Sequence, residues 1–310
     1  YLNLAGRNDW FSTLEKDNRS IFYPSANLSV IVSDLLDISN GPLSYLKVYG
    51  GIGTSAGSPS PYSTRNVLAT NARAYISGGS VVTTNATSSF LGNPNLKPEL
   101  HTEYEFGTDV RFFNGRLGLN ASLYTKNVTN LITSSPLDPG TGFTSTLVNI
   151  GNIENQGLEL TVKGTPLNGP LNWDISANFV TTRSEVIELS DQLDRIAVGG
   201  FTDQGNYAIV GEPFLIMYGY KILRVTEELK QSDSRFSNVE VGTPIVDTQG
   251  NYIEAPDLGI IGDPTPDWNL GINNTISYKG ASLSFQIDYQ QGGDMFSTWI
   301  SSLMARGLTK

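Results

Sequence analysis

The chain of 310 residues has no cysteine and one histidine. Disulfides, thiolate metal centres and histidine-rich zinc sites are therefore excluded at the outset. It also lacks any run of 18 apolar residues, so no transmembrane helix is encoded. That absence leaves membrane strands untouched, because a barrel strand hides its hydrophobicity by alternation. Positive charge is scarce: 20 Lys and Arg stand against 30 Asp and Glu, a net charge of -10 with no basic run. Such a chain repels phosphate backbones and anionic membrane surfaces, so nucleic acid is not an expected partner. The opening Tyr1-Leu2-Asn3-Leu4 lacks the charged segment and apolar stretch of a signal peptide and reads as a strand interior. The natural start is expected elsewhere.

What is present points to strands. The 32 Gly, 15 Pro and 14 Tyr, with abundant Asn, Ser and Thr, favour pleated surfaces and turns over helices, and 39% hydrophobic residues with 16% charged is a folding composition. From Glu103, the residues Tyr104, Phe106, Thr108, Val110 and Phe112 alternate with Glu103, Glu105, Asp109 and Arg111. Asn114-Gly115 follows, a pair suited to a two-residue type I′ turn, and Leu117, Leu119, Ala121 and Leu123 then oppose Arg116, Asn120, Ser122 and Lys126. The same period of two recurs in Leu158 to Val162, Leu171 to Phe179 and Ala281 to Tyr289. On these strands one face carries no charge and the other collects both signs.

Soluble sandwiches alternate as well, so length and turn order must decide. Strands are expected near 2-7, 22-33, 43-55, 102-113, 116-127, 154-166, 171-183, 269-278 and 281-290. Several approach the nine to eleven residues, roughly, that a tilted bilayer crossing needs, against about five or six in soluble sheets. Short connections at Asp34 to Pro42, Asn114-Gly115, Leu167 to Pro170 and Lys279-Gly280 alternate with long ones near 56-101, 130-153 and 184-268. With that parity every long loop falls at one end, the arrangement of outer-membrane barrels. Tyr104, Phe112, Trp173, Phe179, Trp268 and Tyr278 stand toward strand ends, where interfacial aromatic girdles belong. The fold class predicted is all-β, an antiparallel transmembrane β-barrel. About nine strands is an odd number, and open edges are not allowed in hydrocarbon, so an incomplete portion of a larger barrel is expected, residues 1-310 forming part of one domain.

Four stretches then carry a family resemblance: Gly6-Arg7-Asn8-Asp9-Trp10 with Phe22-Tyr23-Pro24-Ser25; Gly92-Asn93-Pro94-Asn95-Leu96-Lys97-Pro98-Glu99; Asn149-Ile150-Gly151-Asn152-Ile153-Glu154-Asn155-Gln156-Gly157-Leu158-Glu159-Leu160; and Gly262-Asp263-Pro264-Thr265-Pro266-Asp267-Trp268 continuing to Asp288-Tyr289-Gln290-Gln291-Gly292-Gly293-Asp294. Together they resemble the SusC/RagA branch of TonB-dependent outer-membrane transporters. The resemblance implies a 22-stranded barrel in the outer membrane of a Gram-negative bacterium. It also implies an N-terminal plug that contacts TonB, a SusD-like surface lipoprotein partner, and import of oligosaccharides or peptides. On that reading this chain is the middle to C-terminal part of the barrel, surrounded by outer-membrane lipid, with the plug and last strands absent.

The prolines at 94 and 98 fix φ and hold Asn93 and Lys97 extended, a stiff entry to the following strand. Gly151 and Gly157 are expected where positive φ or close backbone approach suits glycine. His101 stands before a strand with no nearby nucleophile, and paired acids such as Glu103 and Glu105 or Asp263 and Asp267 are explained as polar-face or loop residues. The acidic runs Asp191 to Asp194 and Asp257 to Asp267 show no EF-hand spacing, so no metal, cofactor or catalytic residue is assigned. The stretch Glu212 to Val225 is apolar without alternation and is expected to pack within the longest loop. Trp10, Tyr62, Tyr75, Tyr207 and Tyr252 are the loop aromatics suited by type to contact substrate or the lipoprotein lid. Two rival readings are a soluble extracellular glycan-binding β-protein and a carbohydrate-active enzyme.

Overall fold

The computed structural model describes every residue apart from 39–40, 71–74, 83–84, 190–192, 202–203, 298, 301–302 and 304–310. Three strands come first, β1 (Leu2–Trp10), β2 (Ser20–Ile31) and β3 (Leu43–Gly57). Five short ones follow, β4 (Leu68–Thr70), β5 (Tyr75–Ser77), β6 (Ser80–Val82), β7 (Asn85–Thr87) and β8 (Phe90–Leu91), before the long pair β9 (Glu99–Phe112) and β10 (Leu117–Thr129). Next are β11 (Ile132–Pro136), β12 (Ser145–Asn149) and a second long pair, β13 (Gly151–Leu167) and β14 (Leu171–Leu189). Finally β15 (Arg195–Phe201), β16 (Gln204–Ile209), β17 (Ile216–Ile222) and β18 (Glu254–Gly262) precede β19 (Pro266–Tyr278) and β20 (Ala281–Gly292).

Nine of these strands make one sheet in the order β1-β2-β3-β9-β10-β13-β14-β19-β20, each antiparallel to its neighbours. They are the nine expected from alternation, and most run further than expected toward the long-loop end. β14 has 19 residues, roughly 60 Å at 3.3 Å per residue. The strand expected to reach residue 33 stops instead at Ile31, where one helical turn, Val32–Leu35, leads into the connection.

The register sorts the residues into two faces. One rung across the sheet reads Val48, Thr108, Ala121, Leu160, Phe179, Leu270, Tyr289. The next rung, on the opposite face, reads Lys47, Asp109, Asn120, Thr161, Asn178, Gly271, Asp288. The apolar face is uncovered: Phe106 is 60% exposed, Leu123 57% and Ile287 55%.

Short turns close one end. Lys279 and Gly280 have φ of 45° and 85° between the paired Tyr278 and Ala281, a two-residue turn of the left-handed kind. At Asn114-Gly115 both residues also have positive φ, and Arg116 N donates to Phe113 O at 3.3 Å, but Phe113 is left-handed too and the ladder ends at Phe112–Leu117. The expected closing pair opens because its backbone is engaged sideways. Phe113 N donates to Pro42 O at 2.7 Å and Thr165 N to Arg116 O at 2.9 Å.

The buried core sits at the other end. Ile150, Ile153, Val186, Leu189 and Ala208 form one cluster, backed by Leu131, Val148, Ile196, Val198 and Phe214. The tops of β13 and β14 thus anchor a loop module whose own four-stranded sheet runs β15-β16-β17-β18. The apolar stretch Glu212 to Val225 supplies β17, with Ile216 and Val225 buried, as expected of a packed loop segment.

Candidate functional site

The polar face of the sheet and the loop module above it are where the chain can meet a ligand. Some charges on the polar face are matched locally. Arg111 bonds Asp109 at 3.0 Å and lies 4.6 Å from the Tyr45 ring, and Lys47 lies 5.2 Å from the Tyr49 ring. Thr161 donates to Asn178 at 3.0 Å and Gln286 to Asp288 at 2.7 Å. The face is therefore hydrogen-bonding without being strongly of one sign.

Two tyrosines on this face lie over glycines of the next strand. A Cβ on Gly107 would fall 2.3 Å from Cζ of Tyr49, and one on Gly157 would fall 2.4 Å from Cζ of Tyr124. Tyr124 reaches across to hydrogen-bond Thr182 at 2.9 Å, two strands away. The rings lie against the wall instead of projecting from it, and a side chain at either glycine would push the ring above it away. Gly157 meets the expectation of close approach. Gly151 meets it as well, with φ of 119° and a Cβ position only 2.1 Å from Glu188 O.

At the long-loop end, two of the sequence motifs clasp each other. Lys97 N donates to Oδ1 of Asn149 at 2.9 Å, while Nδ2 of Asn149 donates to Lys97 O at 2.9 Å and to Asn130 O at 2.7 Å. Asn93 donates to Leu147 O at 2.9 Å, and Leu96 between them is fully buried. The stiff proline segment is thus the seat for the returning chain at β12. His101 completes the joint: it hydrogen-bonds Glu99 at 3.1 Å, whose other oxygen accepts from Ile132 N at 2.6 Å.

A second clasp ties the β1–β2 loop to the segment after β3. Arg65 donates to both carboxylate oxygens of Glu15 at 2.8 Å. Those hydrogen bonds, aided by Thr64, hold the Glu15 carboxyl down to about 2 from its ordinary 4.5. In the longest loop, Asp247 accepts from Asn251 and from the Gln249 backbone, which holds its carboxyl below the usual range.

The five loop aromatics fall on five different elements. Trp10 ends β1 and is 69% exposed; Tyr62, in the segment after β3, is 73% exposed with φ of 66°. Tyr75 begins β5. Tyr252 is exposed beside its bridge partner Val246. Tyr207, on β16, is buried with its ring 5.1 Å from that of Tyr218. Among the described residues no group of three or more His, Cys, Asp or Glu could hold a metal, and Asp191 lies outside those residues. The clasps at Asn149 and Arg65 were not foreseen. Their only sequence signal is that Asn93 and Asn149 stand in two of the four motif stretches.

Comparison with known proteins gives a consistent result. The model of the family described as TonB dependent receptor-like, beta-barrel matches residues 1–302. TonB-dependent receptor P26 of Formosa agariphila is 30% identical over 96% of this chain and 30% of its own length. TonB-dependent receptor SusC of Bacteroides thetaiotaomicron is 26% identical over 91% of this chain and 28% of its own. Among solved structures, the RagAB peptide transporter superposes with a TM-score of 0.73 at 23% identity, over 94% of this chain and 32% of that one. The chain spans about three tenths of the length of the curated relatives it matches.

Proposed function

This chain belongs to the TonB-dependent receptor-like β-barrel family, and on that premise we propose that it is a wall and extracellular-loop portion of an outer-membrane importer. The whole protein spans the outer membrane of a Gram-negative bacterium, takes up oligosaccharides or peptides, works with a SusD-like surface lipoprotein, and is energised by TonB through a plug. The polar face lines the lumen, the apolar face meets outer-membrane lipid, and the long loops are extracellular.

The observation that carries this reading is the height of the uncovered apolar face. Trp268 and Tyr278 bound it on β19, ten residues apart, and Trp173 and Tyr289 lie on the flanking strands. Ten residues at about 3.3 Å, tilted by about 40°, rise roughly 25 Å, the height of the apolar band of an outer-membrane barrel. Rings at both limits suit the two interfaces: Trp268 stacks on Tyr289 at 5.1 Å and lies 5.8 Å from Phe179. A lumen wall rich in amides, hydroxyls and flat tyrosine rings, with charges of both signs interspersed, suits a polar, largely neutral polymer such as a glycan or peptide. Family members are receptors and transporters, and no catalytic role is assigned to this chain.

The test is extraction of the full-length protein from its native membrane in mild detergent, with mass spectrometry of what stays bound. A co-purifying surface lipoprotein with a trapped glycan or peptide is the expected result. A protein that leaves the cells in plain buffer, alone and monodisperse, would refute the reading and favour a soluble glycan-binding module.

A further inference from the structure

The apolar face is free of charge up to the level of Tyr104, and there a single cation stands on it. Register places Arg183 of β14 opposite Gln156 of β13, which pairs in turn with Thr125 of β10 and, through it, with Tyr104 of β9. Arg183 is exposed, and among the described residues it is the only Lys or Arg whose register position lies on this face of the nine-stranded sheet. It sits one rung, about 7 Å, outside the rung of Thr181, Leu158, Leu123 and Phe106. A groove of about 700 Å³ joins the two levels, its apolar stretch formed by Phe106, Leu123 and Leu158 and its outer end by Gln156 and Arg183.

An arginine just outside the apolar band reaches the headgroup level, where a lipid anion is a partner its guanidinium can bond. Its own face offers two carboxylates, Glu154 and Glu185, one rung further out and paired with each other in register, and Glu212, Asp263 and Asp267 line the same outer hollow. Glu154 already accepts from Gln156 at 2.7 Å. Among the described residues no acid shares this face inward of Arg183; Glu105, which also borders the groove, belongs by register to the intervening rung on the opposite face. We propose that this groove is a lipid site: an acyl chain lies along Phe106, Leu123 and Leu158, and Arg183 bonds a phosphate on the headgroup of that lipid in the outer leaflet. The fork of guanidinium donors matches phosphate oxygens two at a time, which a lysine or an amide cannot do. Glu154 and Glu185 then face the sugar or polar part of the headgroup, beyond the phosphate.

This inference rests on the outer-membrane reading, and its test separates the two. The full-length protein is placed in nanodiscs of neutral phosphatidylcholine and titrated with diphosphoryl lipid A or with its dephosphorylated form, bound lipid being counted by native mass spectrometry. Wild type is expected to hold diphosphoryl lipid A about tenfold or more tighter than the dephosphorylated form. Arg183→Gln should bring the two lipids to equal affinity, while Lys279→Gln at the opposite rim leaves the preference intact. Equal binding of both lipids by the inserted wild-type protein overturns the site and leaves the importer reading standing. That arm needs no variant to fold. A protein that enters no bilayer and stays monodisperse in buffer overturns both.

Discussion

Leu119 and Asn120 are neighbours in sequence on β10 and lie on opposite faces of the sheet, so one strand offers a direct test of which face meets hydrocarbon. Leu119 pairs with Val162 and Val110, and that rung continues through Ala177 to Ile272, near the midpoint between Trp268 and Tyr278. An arginine there must carry its charge at the bilayer midplane, which costs about 2 to 4 kcal/mol on the lipid face of a barrel. Asn120→Arg puts the same side chain over the lumen. It gives up the polar contact of the amide with the Tyr49 hydroxyl, worth at most about 1 kcal/mol, and no burial of charge accompanies it. The difference expected between the two variants is therefore about 1 to 3 kcal/mol, with Leu119→Arg the less stable. The assay is reversible denaturant unfolding of the full-length protein in phospholipid vesicles, followed by tryptophan fluorescence. For a soluble protein a surface substitution of either residue would stay within about 0.5 kcal/mol. Equal costs for the two variants would refute the assignment of faces.

Three further outcomes are expected. Gly151→Ala places a Cβ against Glu188 O at a φ of 119°, and a strain of about 1 to 3 kcal/mol should loosen the loop module while the membrane wall stays folded; faster protease cleavage of the loops on intact cells, with unchanged heat-modifiability on gels, would show it. Asn149→Leu removes one acceptor and two donors at the clasp with Lys97 and Asn130, at about 1 kcal/mol for each hydrogen bond, and hydrogen exchange across residues 93–99 should rise. The Glu15 carboxyl, held down to about 2 by Arg65, adds stability that is present in full above about pH 4.5 and is lost as the pH falls toward 2. Protection of residues 11–19 should therefore exceed that of Glu15→Gln at pH 6 and match it at pH 2; equal protection at pH 6 would disprove the clasp.

The resemblance of four motif stretches to one transporter family and the match of the family model over residues 1–302 point the same way. The stretches are legible because they are local: a proline pair, a glycine under close approach, a turn dipeptide. Their roles were only partly legible. Asn93 bonds Leu147 and Asn149 bonds Lys97 across segments more than fifty residues apart, and nothing in either stretch specifies the other as partner. Tyr207 looked like a loop aromatic open to ligand, whereas its strand carries it into the module beside Tyr218.

Alternation with a period of two belongs to each strand alone, and the parity of short and long connections belongs to their order. Both can be read without a fold, so the nine wall strands, their antiparallel sequence and the two faces were determined by the sequence itself. Which residues share a rung depends on register between strands. Only the tertiary structure could place Arg183 level with Tyr104 or Trp268 against Tyr289. The same holds for the core at the tops of β13 and β14, built from Ile150, Val186 and Ala208. Burial there comes from segments that return to one another over long loops, and loop closure leaves no periodic trace in the chain.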